Sequence, residues 1–205
     1  LQAALVQVRL ASSLTNRGEY EESEQQFLAA IPVLEARLGP DHGSTLGALN
    51  NLGYLYHGRG DLAGAERIHR ELLARKIAKY GEQHSAVADS YQNLGGAITH
   101  LGRYDESLPL HRKAYEIFDA TLNDDNYVIA VPLLSIAYVQ LQRGELAEAE
   151  TAAREALERV QVTAAVRHLQ GVAQCLVGIT LERSGRTAEG AAVRIVLANN
   201  PSHLE

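Results

Sequence analysis

The chain has 205 residues, 46% of them hydrophobic, and a formal charge of -6. The acidic balance lacks the clustered basic footprint that nucleic-acid binding requires, and no run approaches the roughly 20 apolar residues of a membrane span. A single cysteine, Cys175, leaves no intrachain disulfide and fits a reducing, cytoplasmic setting.

Taken in chain order, apolar residues at helical spacing predict helices over roughly residues 3–16, 20–38, 44–58, 62–79, 86–100, 104–121, 128–142, 146–160, 164–183 and 187–198. The pattern is clear in Val87, Tyr91, Leu94, Ile98 and Leu101, and again in Tyr104, Leu108, His111, Tyr115, Phe118 and Leu122. Successive members of each set are three or four residues apart, so each set lies along one helix face. Pro32 falls deep in the second helix, where proline removes a hydrogen bond and crowds the carbonyl four residues back, at Leu28. A kink or an early break is expected there.

Between helices, the turns repeat. Gly18, Gly60, Gly102 and Gly144 are each 42 residues apart, and Gly185 follows 41 later. A second marker keeps the same period: Leu38 to His42, Tyr80 to His84, and Leu122 to Asn126. The first glycines suit left-handed helix ends, as do Gly39 and Gly81. Asn123 is expected to take the same conformation in the third copy. Small residues recur in phase: Ala11, Gly53, Gly95, Ala137 and Gly178 before the marker, and Ser23, Ala65, Ser107, Ala149 and Gly190 after it. They allow two backbones to cross closely, as in a tight helical hairpin. Repeat units are therefore expected at about 1–42, 43–84, 85–126, 127–162 and 163–200, stacked in one domain over 1–205.

Leu52, Gly53, Tyr56, Gly60 and Ala65 resemble a tetratricopeptide repeat. The long period, the run Leu49-Asn50-Asn51-Leu52-Gly53-Tyr54-Leu55-Tyr56, the Leu38–His42 turn and Pro109 resemble its kinesin-light-chain-like subtype. The resemblance implies an all-α fold, a right-handed superhelix of about five stacked helical hairpins. It also implies a scaffold that binds a protein or linear peptide in a concave groove lined by the first helix of each hairpin. Carried over by phase, the groove positions are Asn50, Asn51, Tyr54 and His57, then Asp89, Gln92, Asn93 and His100, then Ser135, Tyr138 and Gln142. Asparagine and glutamine offer both donor and acceptor to a peptide backbone, and tyrosine adds flat apolar area with a polar tip. Relatives that clamp a C-terminal carboxylate use Lys or Arg where this chain has Val8, Asn50, Asn51 and Gln92.

No constellation points to catalysis, a nucleotide or a cofactor, and the chain is not expected to be an enzyme. His42 and His84 are 42 apart, as are His69 and His111. Two helix packing distances, about 16–20 Å, would keep such pairs from sharing a metal ion, so no metal site is expected. The same spacing would set Asn51 and Asn93 at the two ends of about five or six residues of extended peptide. Cys175, among Val172, Leu176 and Ile179, is expected to be a buried structural thiol. The chain starts at Leu1, contains no methionine, and its last repeat loses the turn motif. It is expected to be part of a larger protein, with self-association, or docking onto other domains of that protein, as the competing role.

Overall fold

The computed structural model describes residues 1–123, 126–160 and 166–198, with side chains as far as Val193. It is all-helical, with no strand among the described residues. The helices are α1 (Gln2–Asn16), α2 (Tyr20–Leu38), α3 (Gly43–Arg59), α4 (Leu62–Tyr80), α5 (Ser85–His100), α6 (Tyr104–Thr121), α7 (Ala130–Arg143), α8 (Leu146–Arg159), α9 (Arg167–Arg183) and α10 (Thr187–Ala198). One 3-10 turn, Tyr127–Ile129, leads into α7. These bounds follow those read from apolar periodicity to within a turn. The chain divides into two compact units, Leu1–Gly102 and Arg103–Glu205.

The turn chemistry explains the punctuation. Gly60 and Gly144 end their helices in the left-handed region, at φ 84°, ψ 4° and φ 78°, ψ 12°. Gly39 and Gly81 do something different. They have positive φ, 99° and 80°, but ψ near 155° and 159°. That region is essentially closed to any side chain, so glycine is required more strictly there than at a left-handed cap. Asn123 does not take a left-handed conformation: positive φ among the described residues is confined to glycine. The chain instead leaves α6 through an extended Leu122, at φ -108° and ψ 157°.

What the three long turns share is a side-chain acceptor at the next helix start. Nδ1 of His42 accepts from the Ser44 amide at 3.1 Å, and Nδ1 of His84 accepts from the Ala86 amide at 3.1 Å. In the third copy Oδ1 of Asn126 accepts from the Val128 amide at 3.0 Å. Each satisfies an amide that the helix cannot pair itself. The histidines at this position are helix caps, which accounts for their period.

Each unit has its own core. In the first, Phe27, Leu34, Leu55 and Leu72 are fully buried, with Leu46, Leu52 and Ile68 around them. Each such side chain contributes about 1.5–3 kcal/mol by leaving water. Helices α1 and α2 cross at Ala11 and Ser23, both wholly buried, where the Ser23 hydroxyl donates to the Ala11 carbonyl at 2.7 Å. In the α3–α4 hairpin the in-phase small residues Gly53 and Ala65 are both buried. In the second unit Ala130, Leu133, Val139, Ala149, Ala153, Val177 and Leu181 form the core. There Gly190 lies so close that a Cβ on it would meet the Gly178 carbonyl at 2.7 Å.

Helix α2 runs unbroken from Tyr20 to Leu38 across Pro32, so the early break does not occur. Pro32 sits on the exposed face, and Leu28, whose carbonyl it deprives of a partner, is 53% exposed. Water can satisfy that carbonyl, which lowers the cost of keeping proline in the helix.

Candidate functional site: the first-helix face

The first helices of neighbouring hairpins touch directly: α1 meets α3, and α7 meets α9. The expected separation of two packing distances is therefore wrong, because the second helices do not stand between them. Side chains meet at offsets of 39 and 43 residues, on either side of the 42-residue period. Asn51 reaches Ser12, 39 residues earlier, and Asn93 reaches Asn50, 43 earlier.

Along the seam between α3 and α5 these contacts form three rungs. Asn93 Nδ2 donates to Asn50 Oδ1 at 3.0 Å. The Tyr54 hydroxyl donates to Asn93 Oδ1 at 3.0 Å. His57 Nε2 and His100 Nδ1 stand 3.2 Å apart with their rings edge to face. Along the seam between α1 and α3, Asn51 Nδ2 donates to Ser12 Oγ at 3.0 Å, and Ser12 Oγ donates to the Val8 carbonyl at 2.9 Å. Beside this contact is an open pocket of ≈ 440 Å³ lined by Ser12, Thr15, Asn16, Asn51 and Tyr54. Every lining group is uncharged. Sequence phase did not single out Ser12, Thr15 or Asn16. The signal was available in the offset of 39 between Ser12 and Asn51, which matches that between Tyr54 and Asn93.

Asn50, Asn51 and Asn93 are half-buried, and Tyr54 is 49% exposed. Gln92 is half-buried on α5, and Asp89 is exposed there, within the field of the Lys76 ammonium of α4. On α7 of the second unit, Tyr138 is 42% exposed, Gln142 is exposed, and the Ser135 hydroxyl turns back to the Val131 carbonyl at 3.2 Å. Asn93 is not a free amide awaiting a peptide. Both its ends are engaged, and its role is to hold Tyr54 and Asn50 in place.

Behind this face lies His69 of α4, 2% exposed, its ring edge to face with Tyr54 at 5.9 Å. Its Nδ1 is buried without a hydrogen-bond partner among the described residues. Burial pushes its pKa down to about 4, with smaller repulsion from His57 and Lys76. His57 is also lowered, by burial first and by His100 second. The ring fills the space left by the missing side chain of Gly53: a Cβ there would lie 2.5 Å from His69 Cε1. Cys175, expected to be buried, is only half-buried.

The second helices are joined differently. Arg75 of α4 pairs with Glu35 of α2 at 2.8 Å, and Arg159 of α8 pairs with Asp119 of α6 at 2.8 Å. The Tyr115 hydroxyl donates to Glu155 at 2.5 Å, and burial with that carboxylate pushes its pKa up to about 12. The second-helix seams thus carry charge pairs, and the seams α1–α3 and α3–α5 carry neutral amides, hydroxyls and imidazoles. No group of three or more His, Cys, Asp or Glu side chains that could hold a metal occurs among the described residues. No described helix is long and apolar enough to cross a membrane.

Repeated helical hairpins with a common 42-residue turn grammar define a helical-repeat protein. The particular family follows from comparison: the tetratricopeptide repeat model matches residues 2–78, 44–120 and 85–161, and the chain belongs to that family. Among solved structures, it resembles a putative kinesin light chain of Podosopora anserina with nearly identical TPR-like repeats, at TM-score 0.81 and 16% identity, over 95% of this chain and 92% of that one. It also resembles BtubC (BKLC) of P. vanneervenii, at TM-score 0.79 and 18% identity, over 93% and 78%. The apo form of RapI matches at TM-score 0.75 and 13% identity, over 97% of this chain and 55% of that one. At these identities the likeness concerns the fold. Tetratricopeptide repeats are generally protein–protein interaction scaffolds.

Proposed function

We propose that the chain binds an extended segment of another protein on the first-helix face of its first unit. The observation that carries this reading is the uncharged pocket between α1 and α3, open beside a half-exposed Tyr54. Within it the Asn51 carbonyl oxygen and both ends of the Asn16 amide have no partner among the described residues. They can pair with a peptide backbone, and Tyr54 supplies a rigid flat surface for a side chain. A segment of neutral polar and apolar residues fits this lining, because a charge would enter without a counter-ion. Tyr138 and Gln142 are exposed on α7 in the second unit. The Asn93 amide acts at one remove, by fixing the Tyr54 ring.

Random peptides displayed on phage and selected on the chain supply the probe. Tyr54→Ala should weaken the selected peptide about tenfold or more, since a buried tyrosine anchor is typically worth over 1 kcal/mol. Asn93→Ala should weaken it less. Peptides that bind Tyr54→Ala as tightly as the unaltered chain would show that another surface is used.

A further inference from the structure

We propose that the chain self-associates through the end face of its first hairpin, where Val6 and Leu10 of α1 and Ala29 and Val33 of α2 pack against the same residues of a second copy. This does not depend on the peptide-binding reading, which uses another side of α1.

The repeat defines this face. Leu10 is 44% exposed, whereas Leu52, Leu94, Ile136 and Val177, in the same phase of the four later hairpins, are 2%, 2%, 7% and 2% exposed. Val6 is 59% exposed, whereas Ala48, in phase with it, is wholly buried. In α3 these in-phase residues share a core with Ile31 and Leu34 of α2, the second helix of the hairpin before. On α1 the same stripe is bare, because α2 packs at Ala11 and α3 at Ser12, on its other sides. Val33 of α2 turns the same way. It holds the phase of Arg75, which reaches back to Glu35 of the second helix before it. An apolar stripe that every later hairpin buries, and that the first leaves open, is a contact surface.

A second copy fits because the face is self-complementary. Ala3, Val6, Leu10 and Ser13 are spaced three, four and three residues apart, as in the seam between packed helices. Val6 and Leu10 lie evenly about Val8, and both Gln26 with Val33 and Glu22 with Arg37 lie evenly about the Ala29–Ala30 bond. A two-fold axis across the hairpin lays each helix antiparallel on its own copy. Val6 then meets Leu10 of the other copy, Val33 meets Gln26, and Glu22 meets Arg37. One axis serves both helices, since Val8 lies as far before the turn at Gly18 as Leu28, beside Ala29, lies after it. Glu22 and Arg37 are exposed and have no partner among the described residues. Exposed ion pairs add little affinity. The apolar stripe supplies that, and the opposite charges at its two ends fix the register.

The test is sedimentation equilibrium of the chain over a wide range of concentration. The expected result is a mass rising from 22.3 kDa towards twice that value. Val6→Glu should weaken the dimer about tenfold or more, by burying a carboxylate against Leu10. Leu28→Glu is the control for unspecific apolar association. Leu28 is 53% exposed, but it holds the phase of Arg70 and Arg154, which pair within their own helices; this variant should dimerise normally. Glu22→Arg and Arg37→Glu should each weaken the dimer by setting like charges opposite, and combining them should restore it. A monomer at every concentration, a dimer that Val6→Glu leaves intact, or one that Leu28→Glu weakens equally, overturns the proposal. Failure of the combined exchange to restore the dimer overturns the antiparallel arrangement. Circular dichroism checks folding, and a Val6→Glu chain that loses its helical signal is replaced by Val33→Glu.

Discussion

Alanine at Gly53 should destabilise the first unit, although alanine is normally the better helix former. A Cβ at Gly53 would lie 2.5, 2.8 and 3.0 Å from Cε1, Nε2 and Nδ1 of His69. Ordinary carbon contacts lie at about 3.5–4.0 Å, so the ring must retreat by about 1 Å. It has little room, being 2% exposed and packed edge to face with Tyr54. Overpacking of this kind costs about 1–3 kcal/mol, and the helix-propensity gain returns about 1 kcal/mol. A net loss of about 1 kcal/mol follows, or a fall of about 4–8 °C in the melting temperature of a unit this size. Gly47 is the internal standard. It lies on the same helix with nothing within 4 Å of a built Cβ, so Gly47→Ala should stabilise by about 0.5–1 kcal/mol. The assay is urea unfolding followed by circular dichroism, run as a cycle with His69→Ala. Removing the ring frees the niche, so Gly53→Ala should turn stabilising in that background, with a coupling of about 2 kcal/mol. A Gly53→Ala protein as stable as the unaltered chain would refute the packing argument.

Two further predictions concern histidines. His84→Ala should cost about 1 kcal/mol by leaving the Ala86 amide uncapped, and His84→Asn should recover most of it, as Asn126 does in the next turn; chemical denaturation of both variants checks this. His69 has a folded pKa of about 4 against an ordinary 6.5. The unfolded chain therefore binds more protons between these values. Stability from this group is fully present above about pH 6.5 and is lost as pH falls towards 4, by on the order of 3 kcal/mol. His69→Gln should flatten that part of the stability–pH curve, and an unchanged slope would contradict the assignment.

Much of the fold was legible because two periodicities coincide. The 3–4 spacing of Val87, Leu94 and Ile98 marks a buried helix face, and the 42-residue recurrence of glycine marks where each helix stops. The small residues Ala11 and Ser23 meet where α1 and α2 cross, as phase suggested, whereas the small residue Gly53 makes room for the His69 ring. Asn123 misled because asparagine tolerates a left-handed turn without requiring one. The cap at that turn is Asn126, and its equivalence to His42 and His84 lies in an acceptor atom rather than a residue type. The candidate site was legible only in part. Phase identifies equivalent residues, but side chains on adjacent first helices meet three residues short of the period or one beyond it. Asn51 thus pairs with Ser12 rather than with anything 42 residues away, and His57 and His100, sought in phase, never came up as a pair. The burial of His69 in the Gly53 niche could be suspected from neither residue alone.

If the neutral first-helix face, rather than the charged second-helix face, receives a partner segment, hydrogen exchange of the chain with and without a phage-selected peptide should show it directly. Exchange should slow towards the C-terminal ends of α1 and α3, around Asn16 and Tyr54, with α2 and α4 unchanged. Protection centred on the second helices, around Glu35 and Arg75, would contradict it.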